Sequence, residues 1–190
     1  MAAPASATSH PHAAARAADA AHQAAGPAAM HRLTPPWVDG VLDLLAGLRD
    51  SGEERFFHPH RFDRDTLEAL CNGGPDPERR DEYWVAVSPD ETVAAYGMLR
   101  GWSEGYAVPS LGIAVHSAWR GRGLARRMMQ HLHAVARSRG AERVRLKAYP
   151  DNHTAIRLYE SLGYVFAGDA APELVGMLEL HPDTGGLNQP

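Results

Sequence analysis

The sequence predicts an α/β fold, a mixed sheet covered by helices. Three observations carry this. Residues 83–87 and 92–99 are two β-type runs joined by Ser88-Pro89-Asp90-Glu91, the pattern of an antiparallel hairpin. Residues 123–139 place Leu124, Met128, Leu132, Val135 and Ala136 on one helical face. Residues 143–149 then alternate basic side chains, read as outward, with Val144, Leu146 and Ala148 inward, as a half-buried strand does. Hairpin and crossover connections in one chain call for a mixed sheet.

The elements follow in order. Residues 1–29 are dominated by Ala with no long apolar face, so they read as a disordered tail. They lack both the basic start and the apolar block of a secretory signal. Order is expected from a short strand at 30–33, after which Thr34 and Pro35-Pro36 supply a capping hydroxyl and a first-turn proline for a helix over 37–48. Its apolar positions are Val38, Val41, Leu42, Leu45 and Leu48. Asp63 or Asp65 caps a second helix through Leu70, which ends at Asn72-Gly73-Gly74-Pro75. Beyond the hairpin come a strand at 107–115, the long helix, the strand at 143–149, a helix at 152–162, and strands at 164–167 and 174–180. The division is thus a tail (1–29), one domain (30–181) and a C-terminal tail (182–190).

At 190 residues there is room for one core of ordinary size. The 44% hydrophobic content contains no apolar run near the ~20 residues of a membrane span. A net charge of −4 gives no general attraction for nucleic acid, although Arg120, Arg122, Arg126 and Arg127 form one basic spot suited to a local anion. Cys71 is the only cysteine, so no intrachain disulfide forms and a reducing, cytoplasmic setting is expected.

The strand Leu111-Gly112-Ile113-Ala114-Val115 runs into Arg120-Gly121-Arg122-Gly123-Leu124-Ala125 at the mouth of the long helix. Strand, glycine turn, helix is a geometry that holds phosphate. Unpaired N–H groups and the positive helix end face the anion, glycines let it approach, and Arg120 and Arg122 add charged donors. A Walker P-loop would need Gly-Lys-Ser/Thr, which is absent, and a dinucleotide fingerprint would need Gly or Ala where Arg126 stands and an acid near Lys147. By itself the hexapeptide could equally be a turn that only starts a helix.

Arg-x-x-Gly-x-Ala after this strand resembles the acetyl-CoA signature of the GNAT acetyltransferase family. The run Asn152-His153-Thr154-Ala155-Ile156-Arg157-Leu158-Tyr159-Glu160-Ser161-Leu162-Gly163-Tyr164 resembles that family's second cofactor motif. The likeness is close over 110–166 and extends in element order back to about Met30. It implies a GNAT-like α+β mixed fold, with a central twisted mixed, mostly antiparallel sheet flanked by helices. It further implies that acetyl-CoA is the co-substrate, with Ile113, Ala114 and Val115 pairing with pantetheine, and Arg120, Gly121, Arg122, Gly123, Leu124 and Ala125 around the pyrophosphate. Asn152, Ala155 and Tyr159 share one helix face that meets the cofactor, and Asn152 is also suited to cap its own helix.

Tyr159 is the candidate acid for the departing thiolate, because a phenol within reach of the sulfur can protonate or stabilise it. The base is open among Glu104, His116 and Tyr106, with Glu104 in the loop where the family often places it. Residues 55–62, with Phe57, His58 and His60, occupy the segment that commonly lines the acceptor site, where aromatic and imidazole groups could stack on a sugar. No metal is expected, since His131 and His133 diverge on a helix and no acid or thiol cluster completes His58 and His60.

The activity implied is transfer of acetyl to a primary amine of a small molecule, an amino sugar among the candidates, in a direct ternary complex. A protein amino group as acceptor, or an acyl-CoA sensor without catalysis, are the alternatives. The expected partner is the amine acceptor, with neither nucleic acid nor membrane, and a homodimer is compatible with the reading.

Overall fold

The computed structural model describes residues 27–72, 80–167 and 172–180. Seven strands form one sheet: β1 (Ala29–Arg32), β2 (Glu82–Val87), β3 (Val93–Arg100), β4 (Ser110–Val115), β5 (Arg143–Ala148), β6 (Val165–Ala167) and β7 (Leu174–Glu179). Four α-helices cover it: α1 (Val38–Asp50), α2 (Arg64–Cys71), α3 (Leu124–Ser138) and α4 (His153–Glu160). The strand order is β1-β2-β3-β4-β5-β7-β6, antiparallel at every contact except β4 against β5. This is the mixed, mostly antiparallel sheet flanked by helices that the sequence predicts.

Each face of the sheet has its own core. On one face α3 lays Leu124, Met128, Met129, Leu132 and Ala136 against Ala95, Leu99, Val144 and Leu146. Gly97 on β3 permits this close approach: a Cβ there would meet Met128 Sδ at 2.9 Å and Leu132 Cδ1 at 3.0 Å. On the other face α1 and α2 cover Val85, Tyr96, Met98 and Ala114. The buried stripe of α1 is Val38, Val41, Leu44, Leu45 and Leu48. Leu44, absent from the predicted stripe, is fully buried, whereas Leu42 is half-buried at its margin, because the helix is rolled so that 41, 45 and 48 centre on the sheet.

Local expectations are corrected at three places. Thr34 makes no side-chain cap, and a single 3₁₀ turn (Pro35–Trp37) precedes α1. Strand β4 starts at Ser110, three residues later than expected, just after Pro109, which has no N–H for a ladder. Ala29 opens β1, and Ala28 ahead of it is buried and accepts a hydrogen bond from Arg127 Nη2 (3.0 Å). Asp63 caps α2 as expected, its Oδ1 accepting from Thr66 N–H at 2.8 Å. The expected stop of α2 at Gly73-Gly74-Pro75 and most of both expected tails lie outside the described residues.

One buried carboxylate ties β1, β2 and α3 together. Glu82, 2% exposed, meets Arg32 Nη1 at 2.7 Å and Arg139 Nη1 at 3.2 Å, and accepts from Trp84 Nε1 at 3.1 Å. At the far side of α3, His133 Nε2 and the Tyr164 hydroxyl lie 2.9 Å apart in the core. Among the described residues no helix is long and apolar enough to cross a membrane.

Candidate active site

The parallel pair β4 and β5 touches at one register point, Ser110 opposite Arg145, supported by Arg145 N–H donating to the Pro109 carbonyl at 3.0 Å. Beyond it the strands part, so the remaining edge of β4 is not paired with β5 among the described residues. A cleft of about 1010 Å³ opens there. Its walls are Ile113, Ala114 and Val115 of β4, the glycine turn and first turn of α3, and the start of α4. Every predicted cofactor-binding residue lines it except Arg122: Ile113, Ala114, Val115, Arg120, Gly121, Gly123, Leu124, Ala125, Asn152, Ala155 and Tyr159. A backbone edge facing such a cleft offers the donors and acceptors an extended amide chain needs.

The turn has the backbone a diphosphate requires. Gly121 (φ 71°) and Gly123 (φ 74°) are left-handed, and a Cβ at either would meet nothing within 4 Å, so an anion can approach the main chain unobstructed. Gly123 is the N-cap of α3 and no acidic residue sits in the first turn, which leaves the positive helix end uncompensated by side chains.

The predicted basic spot is not one cluster. Arg120 forks onto Glu53 with both Nη atoms at 2.7 Å and reaches the Val115 carbonyl with Nε at 3.1 Å. This guanidinium holds the Glu53 carboxyl below its usual range. Arg122 stacks over Trp119, 5.6 Å from the ring centroid, instead of lining the cleft. Arg126 lines it and donates to Ser161 Oγ at 2.7 Å, and Arg127 turns back to Ala28.

Helix α4 starts where expected by chemistry: Asn152 Oδ1 accepts from Ala155 N–H at 3.2 Å. From that start the helical repeat brings Tyr159 round to the same cleft. The Tyr159 ring packs on Tyr164 and Phe166, with centroids 6.0 Å and 6.4 Å away. Burial pushes its phenol up to about 12, so it stays protonated and is a hydrogen-bond donor at neutral pH.

Tyr159 also lines a second cavity of about 400 Å³ on the α1 side of the sheet. Phe57 and His58 line this cavity, Phe57 against the side that Gly112 leaves bare: a Cβ there would meet Phe57 Cε2 at 3.5 Å. His60 does not join them. Its Nε2 lies 2.9 Å from the Tyr96 hydroxyl inside the aromatic packing, and burial lowers its pKa. Glu104 and Tyr106 line the cavity from the loop before β4. Asp81 anchors that loop, accepting from Gly101 N–H (2.9 Å), Ser103 N–H (3.2 Å) and Ser103 Oγ (2.9 Å). His116 instead caps the turn after β4, accepting from Ala118 N–H at 3.2 Å.

Sequence reasoning missed three cations here. Arg145 and Lys147, read as outward on β5, and Arg100 at the end of β3 all line the second cavity. Alternation along β5 already separated them from Val144 and Leu146. Knowing that a cavity covers their face required the sheet order. The 53–58 segment is held over the site by Arg55 on Asp151 (2.7 Å) and by Phe56 on Tyr149 (5.9 Å).

Comparison with known proteins bears on the fold and the family. The chain is 37% identical over 99 residues to the uncharacterized N-acetyltransferase YdgE of Bacillus subtilis, a stretch that is 46% of this chain and 60% of that protein. In three dimensions it resembles the GNAT domain of S. lividans PAT, with a TM-score of 0.67 at 20% identity, covering 82% of this chain and 92% of that one. It also resembles a GCN5-related N-acetyltransferase from Kribbella flavida, with a TM-score of 0.66 at 20% identity, over 80% and 97% of the two chains. These two likenesses speak for the fold alone. Residues 45–164 match the profile of the Acetyltransferase (GNAT) family, whose members use acetyl-CoA, and this chain belongs to that family.

Proposed function

We propose that this protein is an N-acetyltransferase that passes the acetyl group of acetyl-CoA directly to a primary amine of a small molecule. The observation that carries the reading is the meeting of two cavities at Tyr159, one with an anion-binding turn and a bare strand edge, the other small. About 400 Å³ is near the lower end of the ~300–1,000 Å³ range of small-molecule sites, which suits a small amine better than a polypeptide segment.

In this reading the first turn of α3 and Gly121 and Gly123 hold the pyrophosphate, and the β4 edge pairs with the pantetheine amides. The thioester then lies at the junction. The neutral amine nitrogen attacks the carbonyl carbon and gives up one proton to a base as the C–N bond forms; the C–S bond breaks and its electron pair leaves on sulfur as a thiolate. A thiol ionises near ~8.5, so full proton transfer from a phenol near 12 would be uphill by roughly 5 kcal/mol. Tyr159 therefore acts by donating a hydrogen bond to the forming thiolate instead of surrendering its proton.

Glu104 is the proposed base, taking the amine proton directly or through a water. Glu173, the other carboxylate in that cavity, is engaged by Lys147 at 2.8 Å. Cys71 lines neither cavity, and burial raises its thiol, so direct attack is favoured over an acyl-enzyme route. The lone cysteine also goes with a cytoplasmic site of action. The test is thioester cleavage across a panel of amines beside calorimetry with coenzyme A. Binding and turnover on small amines are expected. Binding with no turnover on any amine would favour a sensor, and no binding would end the reading.

A further inference from the structure

The second cavity holds more positive charge than its own carboxylates neutralise. Lys147 is matched by Glu173 at 2.8 Å. Arg100 is fixed by donating Nη1 to the Pro59 carbonyl, and its Nε is buried without a hydrogen-bond partner. Arg145 has no ion-pair partner among the described residues. Its guanidinium lies 5.8 Å from the centroid of the Tyr106 ring, and its Nε too is buried without a hydrogen-bond partner. Glu104, the remaining carboxylate, is exposed on its loop.

A guanidinium that lines a cavity with no carboxylate partner leaves its charge for a ligand to match. Arg145 leaves β5 at the register point with Ser110, where the two strands still touch, so its backbone is held. A planar fork on a held backbone beside an aromatic ring matches a carboxylate's two oxygens. A neutral sugar would leave that charge unmatched, and a polycationic amine would face like charge.

We propose that the acceptor is an amine that carries its own carboxylate, an amino-acid-like molecule whose carboxylate docks on Arg145 with Arg100 beside it. Its amine then extends toward Tyr159 and the thioester. The inference rests on the acetyltransferase reading above and adds the class of acceptor. Arg145 is a specificity residue in this scheme, with no part in bond making.

The test uses the full chain and acceptor pairs that differ only in the anion: free amino acids against their carboxamides, with a phosphonate analogue as a third arm. Acids should be preferred by about thirtyfold or more in kcat/KM, the phosphonates falling between. Arg145→Gln should raise KM for the acids by about that factor, leave kcat within about twofold and leave the amides unchanged, while Arg145→Lys keeps part of the preference. If Arg145→Gln fails to fold, short carboxylates lacking an amine should inhibit the wild type competitively with the acceptor and not with acetyl-CoA. Equal use of acids and amides, or equal losses on both in Arg145→Gln, overturns the proposal. So does coenzyme A binding with no turnover on any acid. Absence of coenzyme A binding itself, read by calorimetry, would overturn the acetyltransferase reading and this inference with it.

Discussion

Helix α3 provides its own control for the proposed phosphate turn. It is bounded by two glycines with almost the same left-handed backbone, Gly123 (φ 74°) before it and Gly140 (φ 76°) after it. Neither position has an atom within 4 Å of an added Cβ. Gly140 closes a Schellman motif, its N–H donating to Arg137 O at 2.9 Å while Ala141 N–H donates to Ala136 O at 3.0 Å. Gly123 faces the cleft. Alanine at either site adopts αL at a cost of about 1–2 kcal/mol, which lowers Tm by roughly 2–8 °C in a domain of this size. The two variants should therefore melt alike. On the proposed placement, only Gly123→Ala puts a methyl where the diphosphate approaches the main chain. Losing one hydrogen bond to a charged group is worth about 1.5–3 kcal/mol, a roughly 10- to 150-fold weaker Kd for coenzyme A. Calorimetry and thermal melts on both variants decide it. Wild-type affinity in Gly123→Ala, or an equal loss in Gly140→Ala, refutes the placement of the pyrophosphate.

Three further outcomes are expected. Tyr159→Phe should lower kcat by about 10²–10³-fold with coenzyme A affinity within about twofold, and unchanged turnover would remove the donor role. Burial lowers His133 from 6.5 to about 4, so the unfolded chain takes up a proton near pH 6.5 that the folded chain resists until near 4. Its contribution is intact above pH 6.5 and is lost as pH falls to 4, about 3 kcal/mol in all, with His60 and His131 shifted in the same direction. Urea unfolding at a series of pH values should show that slope, and His133→Gln should flatten it; an unchanged slope argues against His133 as its source. Glu82→Gln should cost about 3 kcal/mol, since it leaves Arg139 and Arg32 facing a buried neutral amide, and a change in denaturant midpoint worth under about 1 kcal/mol would contradict that account.

What could be read from residue order was what acts over a few residues. The amphipathic repeat of α3, the caps Asp63 and Asn152, the hairpin turn and the glycine-opened helix mouth each depend on neighbours within about one turn of chain. The predicted phosphate turn is built from consecutive backbone groups and was legible for that reason, whereas its meeting with 113–115 and with Asn152, Ala155 and Tyr159 in one cleft needed the fold. Tertiary structure decided which surfaces meet. Arg120 met Glu53 across 67 positions, His60 turned into the packing around Tyr96, and β7 entered between β5 and β6. Arg145 and Lys147 became cavity walls for the same reason. Alternation along a strand says which side chains share a face, but only the order of strands and the covering loops say whether that face meets water, a core or a ligand.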